Sequence, residues 1–165
     1  SNNFGPWQYP EKLIPLTIIK ASKLEPIRIY GNGENVREWI YVFDHIEGLI
    51  SVANNGENGK TYCIGSKNTI TNNYLVKNIC EILDVLEPKN MPHQELIEYV
   101  PDRLGHDYRY AIDSSFIKKS IGWESKFNFN ETLKLTVQWY LDHQDWSLDL
   151  MTRHNLSIGD NKYKL

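Results

Sequence analysis

Cysteine is scarce in this chain, with Cys63 and Cys80 alone among 165 residues. One lies in an apolar strand-like run and the other on an apolar helix face, with no further Cys and no nearby His at ligand spacing. A disulfide framework and a zinc site are therefore excluded, and both residues read as buried free thiols. A surplus of positive charge is missing too: Lys and Arg number 18 against 21 Asp and Glu, for a net charge of -3. The cations are spread along the whole length, so no basic stripe exists for a phosphate backbone, and nucleic acid is excluded as a partner. No long hydrophobic run is present. The longest, residues 13–19, is interrupted by Pro15 and Thr17 and falls short of the roughly 20 residues that span a bilayer. No basic-apolar-small leader opens the sequence, which also lacks an initiating Met, so an excised piece of a cytoplasmic protein is expected. There is no internal repeat and no low-complexity tract. Tripeptides at Asn130 and Asn155 fit the glycosylation acceptor pattern, but such matches arise by chance.

What is present suits one compact soluble domain. Hydrophobic residues make up 41% and charged residues 24%, and a chain of this size buries about two thirds of its unfolded surface. Leu13, Leu16, Thr17, Ile19 and Lys20 recur at helical spacing, which predicts a helix over 11–23, with Pro10 and Pro15 close enough to its start to be tolerated. "PIRIY" alternates as a short strand, and Asn32-Gly33 in "GNGEN" suits a hairpin turn into a return strand "VREWIYV". Asp44, three residues before Glu47, predicts a helix cap, followed by an apolar stripe at Ile46, Leu49, Ile50 and Ala53. "KTYCIG" reads as a strand buried on both faces. Asn72 or Asn73 is expected to cap an amphipathic helix through Leu75, Val76, Ile79, Ile82, Leu83 and Leu86, stopped by Pro88. "ELIEYV" and "RYAID" read as strands. Ser114 or Ser115 is expected to cap "FIKKSIGW", and Asn130 a helix with Leu133, Val137, Tyr140 and Leu141 inward. The last twenty residues lack periodicity and are expected to fray. Alternation of strands and helices indicates an α/β class.

Chemistry-bearing patterns are mostly incomplete. "GNGENVR" looks like a phosphate-binding glycine loop, but it lacks the third Gly and runs into a strand instead of a helix. No Tyr is followed four residues later by Lys, the spacing that lets an ammonium lower a phenol's pKa from one helical turn away. There is no Gly-x-Ser-x-Gly elbow, no Walker loop and no paired His at metal spacing, so neither a catalytic set nor a metal ligand set can be assembled. Trp39, Trp123 and Trp139 read as core anchors. One stretch stands apart: "PDRLGHDYRYAID", residues 101–113, holds two Arg, one His, one Gly and three Asp. A planar guanidinium matches two phosphate oxygens with parallel charge-assisted bonds. Arg37 and Arg103, from different loops, could hold a diphosphate, with Asn2, Asn3, Lys12, Asn72 and His106 as further ligand-type groups. Spacing alone therefore gives a soluble α/β domain with an anion cleft.

Five stretches carry a resemblance: "SNNFGPWQYPEKLIPL", "IYGNGENVREWIYVFDH", "GKTYCIGSKNTITN", "DRLGHDYRYAID" and "IGW" followed by "TVQWYL". Together they resemble, in order from residue 1 to about 146, the C-terminal half of bacterial dTDP-glucose 4,6-dehydratases, members of the extended short-chain dehydrogenase/reductase superfamily. The first two are shared with many sugar-nucleotide epimerases and dehydratases, whereas the loop around Arg103 is narrower, with Leu104 in place of the family's usual Pro. The resemblance implies an α/β fold that is the C-terminal half of an extended short-chain dehydrogenase/reductase: the substrate-binding lobe and only part of the Rossmann sheet. Residues 1–146 would form the nucleotide-sugar-binding half and 147–165 a C-terminal tail.

The resemblance further implies roles. Asn2 would touch the sugar-phosphate side of the substrate and Asn3 the nicotinamide side of NAD. Lys12, with Leu13, Ile14, Pro15, Leu16 and Thr17, would lie over the nucleotide, and Arg28, Ile29 and Tyr30 would flank base and ribose. Arg37 and Asn72 would bind diphosphate and nucleoside, and Asp102, Arg103, Leu104, Gly105 and His106 would close over phosphates and ribose. Such enzymes use tightly held NAD to oxidise the glucose C4 hydroxyl, which acidifies the C5 proton; water leaves from C6 and the hydride returns there. The product is a 4-keto-6-deoxy sugar nucleotide, a precursor of deoxysugars of the rhamnose type. The family's Tyr-Lys pair, acidic pair and NAD glycine loop lie upstream of "SNN" and are absent from this sequence. The chain is therefore expected to be a fragment of such a lyase, or one of two polypeptides, and to be inactive alone; the whole enzyme is expected to be a homodimer. An epimerase or dehydratase for UDP- or GDP-sugars, and a non-catalytic sugar-nucleotide-binding module, are the rival readings.

Overall fold

A strand sends alternate side chains to opposite faces, and β3 (Val36–Tyr41) uses that alternation to separate two cores. Trp39 and Tyr41 enter the larger, with Phe4, Ile18, Leu75, Ile79, Leu133 and Val137, while Ile40 enters a smaller one with Ile64, Ile117 and Trp123. The computed structural model describes residues 1–154. β1 (Asn2–Phe4) runs parallel to the second half of β3, Asn2 opposite Trp39. The first half of β3 takes β4 (Thr69–Thr71) antiparallel and β6 (Arg109–Tyr110) parallel. β2 (Ile27–Tyr30) and β5 (Ile97–Val100) form a separate parallel pair. Helices α1 (Leu13–Ser22), α3 (Asn72–Leu86) and α5 (Phe129–Asp142) pack on one another around the larger core. α2 (Val42–Asn55) and α4 (Ser115–Ile121) flank the smaller, and α6 (Gln144–Arg153) follows α5. The expected α/β class is what forms. Among the described residues no helix is long and apolar enough to cross a membrane.

Local chemistry explains where the helices start. Pro15 is the third residue of α1, where a backbone N–H has no intrahelical partner and its loss costs nothing. The caps are offset from the expected residues. Thr71, not Asn72 or Asn73, caps α3 by accepting from the Tyr74 N–H at 3.2 Å. Asn128, not Asn130, caps α5 by accepting from the Glu131 N–H at 3.1 Å. Asp113 takes the Ser115 N–H at the head of α4, leaving Ser114 and Ser115 without a capping side chain. A cap needs an extended backbone just outside the helix; Asn72 and Asn130 already lie inside theirs.

Two buried carboxylates tie distant segments together. Glu38, 1% exposed, accepts from the backbone N–H groups of Ser66, Lys67 and Ile112 at 2.8, 3.2 and 3.0 Å. Asp44 was expected as a cap, but it is buried within α2 and accepts from the Ser125 hydroxyl and the Lys126 and Phe127 N–H groups. Burying a carboxylate is costly unless such donors surround it.

Four further expectations are corrected. β2 and β3 do not form a hairpin: Gly31 and Gly33 do adopt positive φ, but the turn passes across the start of α3, where Asn73 N–H donates to Gly33 O, and β2 pairs with β5 instead. A Cβ on Gly33 would land inside the Asn73 side-chain amide, so that crossing requires glycine. "KTYCIG" forms no strand, and Cys63 is exposed, whereas Cys80 is buried as expected. The apolar stripe of α2 faces outward, with Ile46, Leu49 and Ile50 exposed beside Phe43. Finally, residues 144–153 do not fray but form α6, whose Trp146 packs edge-on against Trp139 and Trp7. Asn155 and the rest of the expected tail lie outside the described residues.

Candidate functional site

The segment 101–108 leaves β5 beside the end of β2 and returns as β6 alongside β3. Its upstream end is fixed where Gly31 N–H donates to Val100 O at 2.8 Å. Its downstream end is fixed by three donors from β3 and the turn before it. Val36 N–H reaches Tyr108 O at 2.8 Å, and the Asp107 carbonyl accepts from Arg37 Nη2 at 2.7 Å and Asn35 Nδ2 at 3.2 Å.

Inside the loop the side chains form one chain of hydrogen bonds. Asp102 Oδ1 accepts from the Arg103 N–H at 2.8 Å and faces His106 Nδ1 at 2.6 Å, while His106 Nε2 lies 3.0 Å from Arg103 Nη2. A guanidinium can only donate, so Nε2 is the acceptor and the ring proton sits on Nδ1, pointing at the carboxylate. That His106 bond, together with the Arg103 N–H, holds the Asp102 carboxyl below the usual carboxylate range. Tyr30 provides the floor: the Arg103 guanidinium lies 4.8 Å from its ring centroid, a cation–π distance, and the His106 ring meets it edge-on at 6.4 Å. Gly105 takes a left-handed φ of 71° at the apex, next to Leu104, whose side chain is 97% exposed.

Tyr30, Asp102, Arg103 and His106 thus converge, and Arg37 joins them at the loop's root. Arg37 also donates to Val36 O at 2.8 Å, so its fork is engaged on backbone carbonyls. Asn72 sits next to this cluster, its N–H on Asn35 O, its side chain buried and its Oδ1 without a protein partner. Asn2 lies opposite Trp39, two residues along β3 from Arg37, a strand rise of about 7 Å. Asn3 Oδ1 is 2.7 Å from His45 Nδ1, and its Nδ2 donates to Ser1 O. Burial pushes the His45 imidazole down. Lys12 stands exposed at the start of α1, paired with Glu11 at 3.2 Å, and Arg28 lies on β2 opposite Glu98. The side chains of Ile14, Pro15, Thr17 and Ile29 are buried; Leu13 and Leu16 are half-buried.

Sequence reasoning missed Asn35, Asn73 and His45. Asn73 Nδ2 donates to Asn32 O and Glu34 Oε1, and its Oδ1 accepts from the Tyr99 hydroxyl, which ties the 31–35 turn to β5. The only available signal was the Asn-rich composition of "GNGEN" and "TNN", which does not say where a side chain reaches. A small hollow of about 40 Å³, lined by Ser66, Lys67, Ser114, Lys118 and Glu124, lies elsewhere, beside the smaller core.

Comparison with known proteins bears on this site. A family model described as GDP-mannose 4,6 dehydratase matches residues 1–136. The chain is 46% identical over 148 residues to a dTDP-glucose 4,6-dehydratase of Xanthomonas campestris, covering 88% of this chain and 42% of that protein. It is 44% identical over 146 residues to dTDP-glucose 4,6-dehydratase 1 of Escherichia coli, covering 88% and 40%. Among solved structures, the dTDP-glucose 4,6-dehydratase of Bacillus anthracis in complex with NAD superposes with a TM-score of 0.81 at 41% identity, over 91% of this chain and 45% of that one. The enzyme of Streptomyces venezuelae with NAD and TYD bound gives 0.81 at 36%, over 90% and 44%. The chain spans about two fifths of the length of the curated relatives it matches.

Proposed function

The chain belongs to the GDP-mannose 4,6 dehydratase family, and from that premise we propose that it is the substrate-binding portion of a dTDP-glucose 4,6-dehydratase, an NAD-dependent lyase of the cytoplasm. The observation that carries the reading is the loop 101–108, in which Asp102 and His106 hold the Arg103 guanidinium over Tyr30, with Arg37 at the root. Guanidinium groups borne on separate backbone segments, one on the loop and one bonded to its root, suit a diphosphate, because each can offer paired N–H donors to two oxygens. Asn72 lies beside Arg37, and Asn2 and Lys12 would face the sugar and its phosphate.

The residues present fit NAD only at its edge. Asn3 is the one candidate, and neither a glycine fingerprint nor a Tyr-x-x-x-Lys pair occurs in the sequence. When bound, NAD supplies the hydride acceptor for the sugar's C4 and the hydride returned to C6. The work of this chain is to grip and orient the nucleotide so that remote binding energy positions the hexose. A homodimer of the whole protein belongs to the same proposal and would be read by sedimentation.

Calorimetric titration of the chain with dTDP, UDP and GDP tests the reading. Preference for dTDP is expected, and Arg103→Ala should weaken it by about 1.5 to 3 kcal/mol, the range for a hydrogen bond to a charged group. Equal affinity for all three would favour a UDP- or GDP-sugar enzyme, and binding of none would remove the proposal. The chain with NAD alone should yield no 4-keto product from dTDP-glucose.

A further inference from the structure

The Asp107 carbonyl, which closes the loop 101–108, is held twice, by Arg37 Nη2 and by Asn35 Nδ2. The two donors differ in what else they could do. Arg37 is a cation half open to solvent, and every N–H it gives to Val36 O or Asp107 O is one fewer for an anion. Asn35 is 5% exposed; its backbone carbonyl accepts from Asn72 N–H at 3.0 Å, so it is locked to the start of α3. An uncharged, buried and anchored amide can keep the carbonyl when the arginine turns away.

We infer that Asn35 is a positioning residue for anion binding: it retains the root of the loop through Asp107 O, so that Arg37 can exchange that carbonyl for phosphate oxygens without the loop letting go. This rests on the diphosphate reading proposed above. Three segments meet at Asn35. It precedes β3, which carries Arg37; it fixes the first residue of α3, Asn72; and it grips the loop that carries Arg103 and His106. A carbonyl has two lone pairs and satisfies both donors before the ligand arrives. If Arg37 were its sole side-chain donor, binding a diphosphate would strand a loop carbonyl or leave the arginine on the backbone.

The test first replaces the donor without changing the shape, then restores an amide on a longer side chain. Asn35→Asp presents a carboxylate oxygen to the Asp107 carbonyl, and Asn35→Gln keeps an amide. In Asn35→Asp, dTDP binding by calorimetry should weaken about tenfold, and amides 103–108 should exchange with deuterium at least about tenfold faster, while those of α3 and α5 keep wild-type rates. Asn35→Gln should bind more tightly than Asn35→Asp. Unchanged dTDP affinity in Asn35→Asp, equal acceleration across α3 and α5, or no advantage for Asn35→Gln would each overturn the inference. Failure of the wild-type chain to bind dTDP would instead overturn the functional reading, and the exchange measurement would still report whether Asn35 holds the loop.

Discussion

Asp102 shows how a single residue can organise a loop most of whose residues are exposed. Its carboxylate accepts hydrogen bonds from His106 Nδ1–H and the Arg103 N–H, and through the imidazole it fixes where the Arg103 guanidinium lies. The carboxyl is held below its ordinary value first by the His106 hydrogen bond and then by the Arg103 N–H. A depressed carboxyl contributes its anchoring above the ordinary value and loses it only as pH falls through the lowered one. The Asp102 carboxylate should therefore stay ionised as pH falls from neutral through the ordinary carboxylate value. The Asp102 carboxyl carbon, followed by NMR, should titrate with a midpoint below about 3.9. A midpoint at or above that value would show that the His106 contact does not form in solution. Cys80 illustrates the opposite environment: burial is the main cause that pushes its thiol up to about 12, so it is a packing group without reactivity.

At the scale of elements, the starts of α1, α3, α4 and α5 were visible to within two residues, that of α2 lies three residues before the expected one and α6 was not foreseen, and the capping side chains were not visible. Between Asn128 and Asn130, both followed by helix formers, pattern alone does not choose. The choice falls where Phe129 packs into the larger core against Phe4, at a ring distance of 5.4 Å, which places Asn128 at the extended position outside the first turn. Asn128→Ala should cost about 1 kcal/mol of stability, whereas Asn130→Ala, which loses only an exposed bond from Asn78, should cost under about 0.5 kcal/mol. Urea unfolding separates the two, and equal losses would mean that the cap is misassigned. The turn 31–35 makes the same point. Its glycines take the backbone angles that the Asn-Gly signal implies, yet the strands on either side part company, because Asn72 and Asn73 at the head of α3 occupy the place a hairpin partner would take.

Across the whole molecule, the outward face of α2 is the clearest departure from ordinary surface chemistry. Phe43, Ile46, Leu49 and Ile50 are all exposed, although the last three read from their spacing as part of a core stripe. Since Leu49 lies more than half exposed, Leu49→Glu should change unfolding stability by no more than about 0.5 kcal/mol and raise solubility. A loss of several kcal/mol, seen in urea titration, would show that the face is covered in the folded chain. The α/β class, the position of most helices, the grouping of Asp102, Arg103 and His106 in one short stretch and the family were all legible in the sequence. These depend on periodicity, on turn chemistry and on residues adjacent in the chain. Packing in three dimensions sets the rest: β2 pairs with β5, Glu38 and Asp44 serve as buried acceptors, Tyr30 lies under Arg103 and Asn35 shares Asp107 with Arg37. In each case the partners are far apart in sequence, 72 residues for Asn35 and Asp107. Periodicity reports which face avoids water, but what meets that face is settled by packing and by the need of every buried donor and acceptor for a partner.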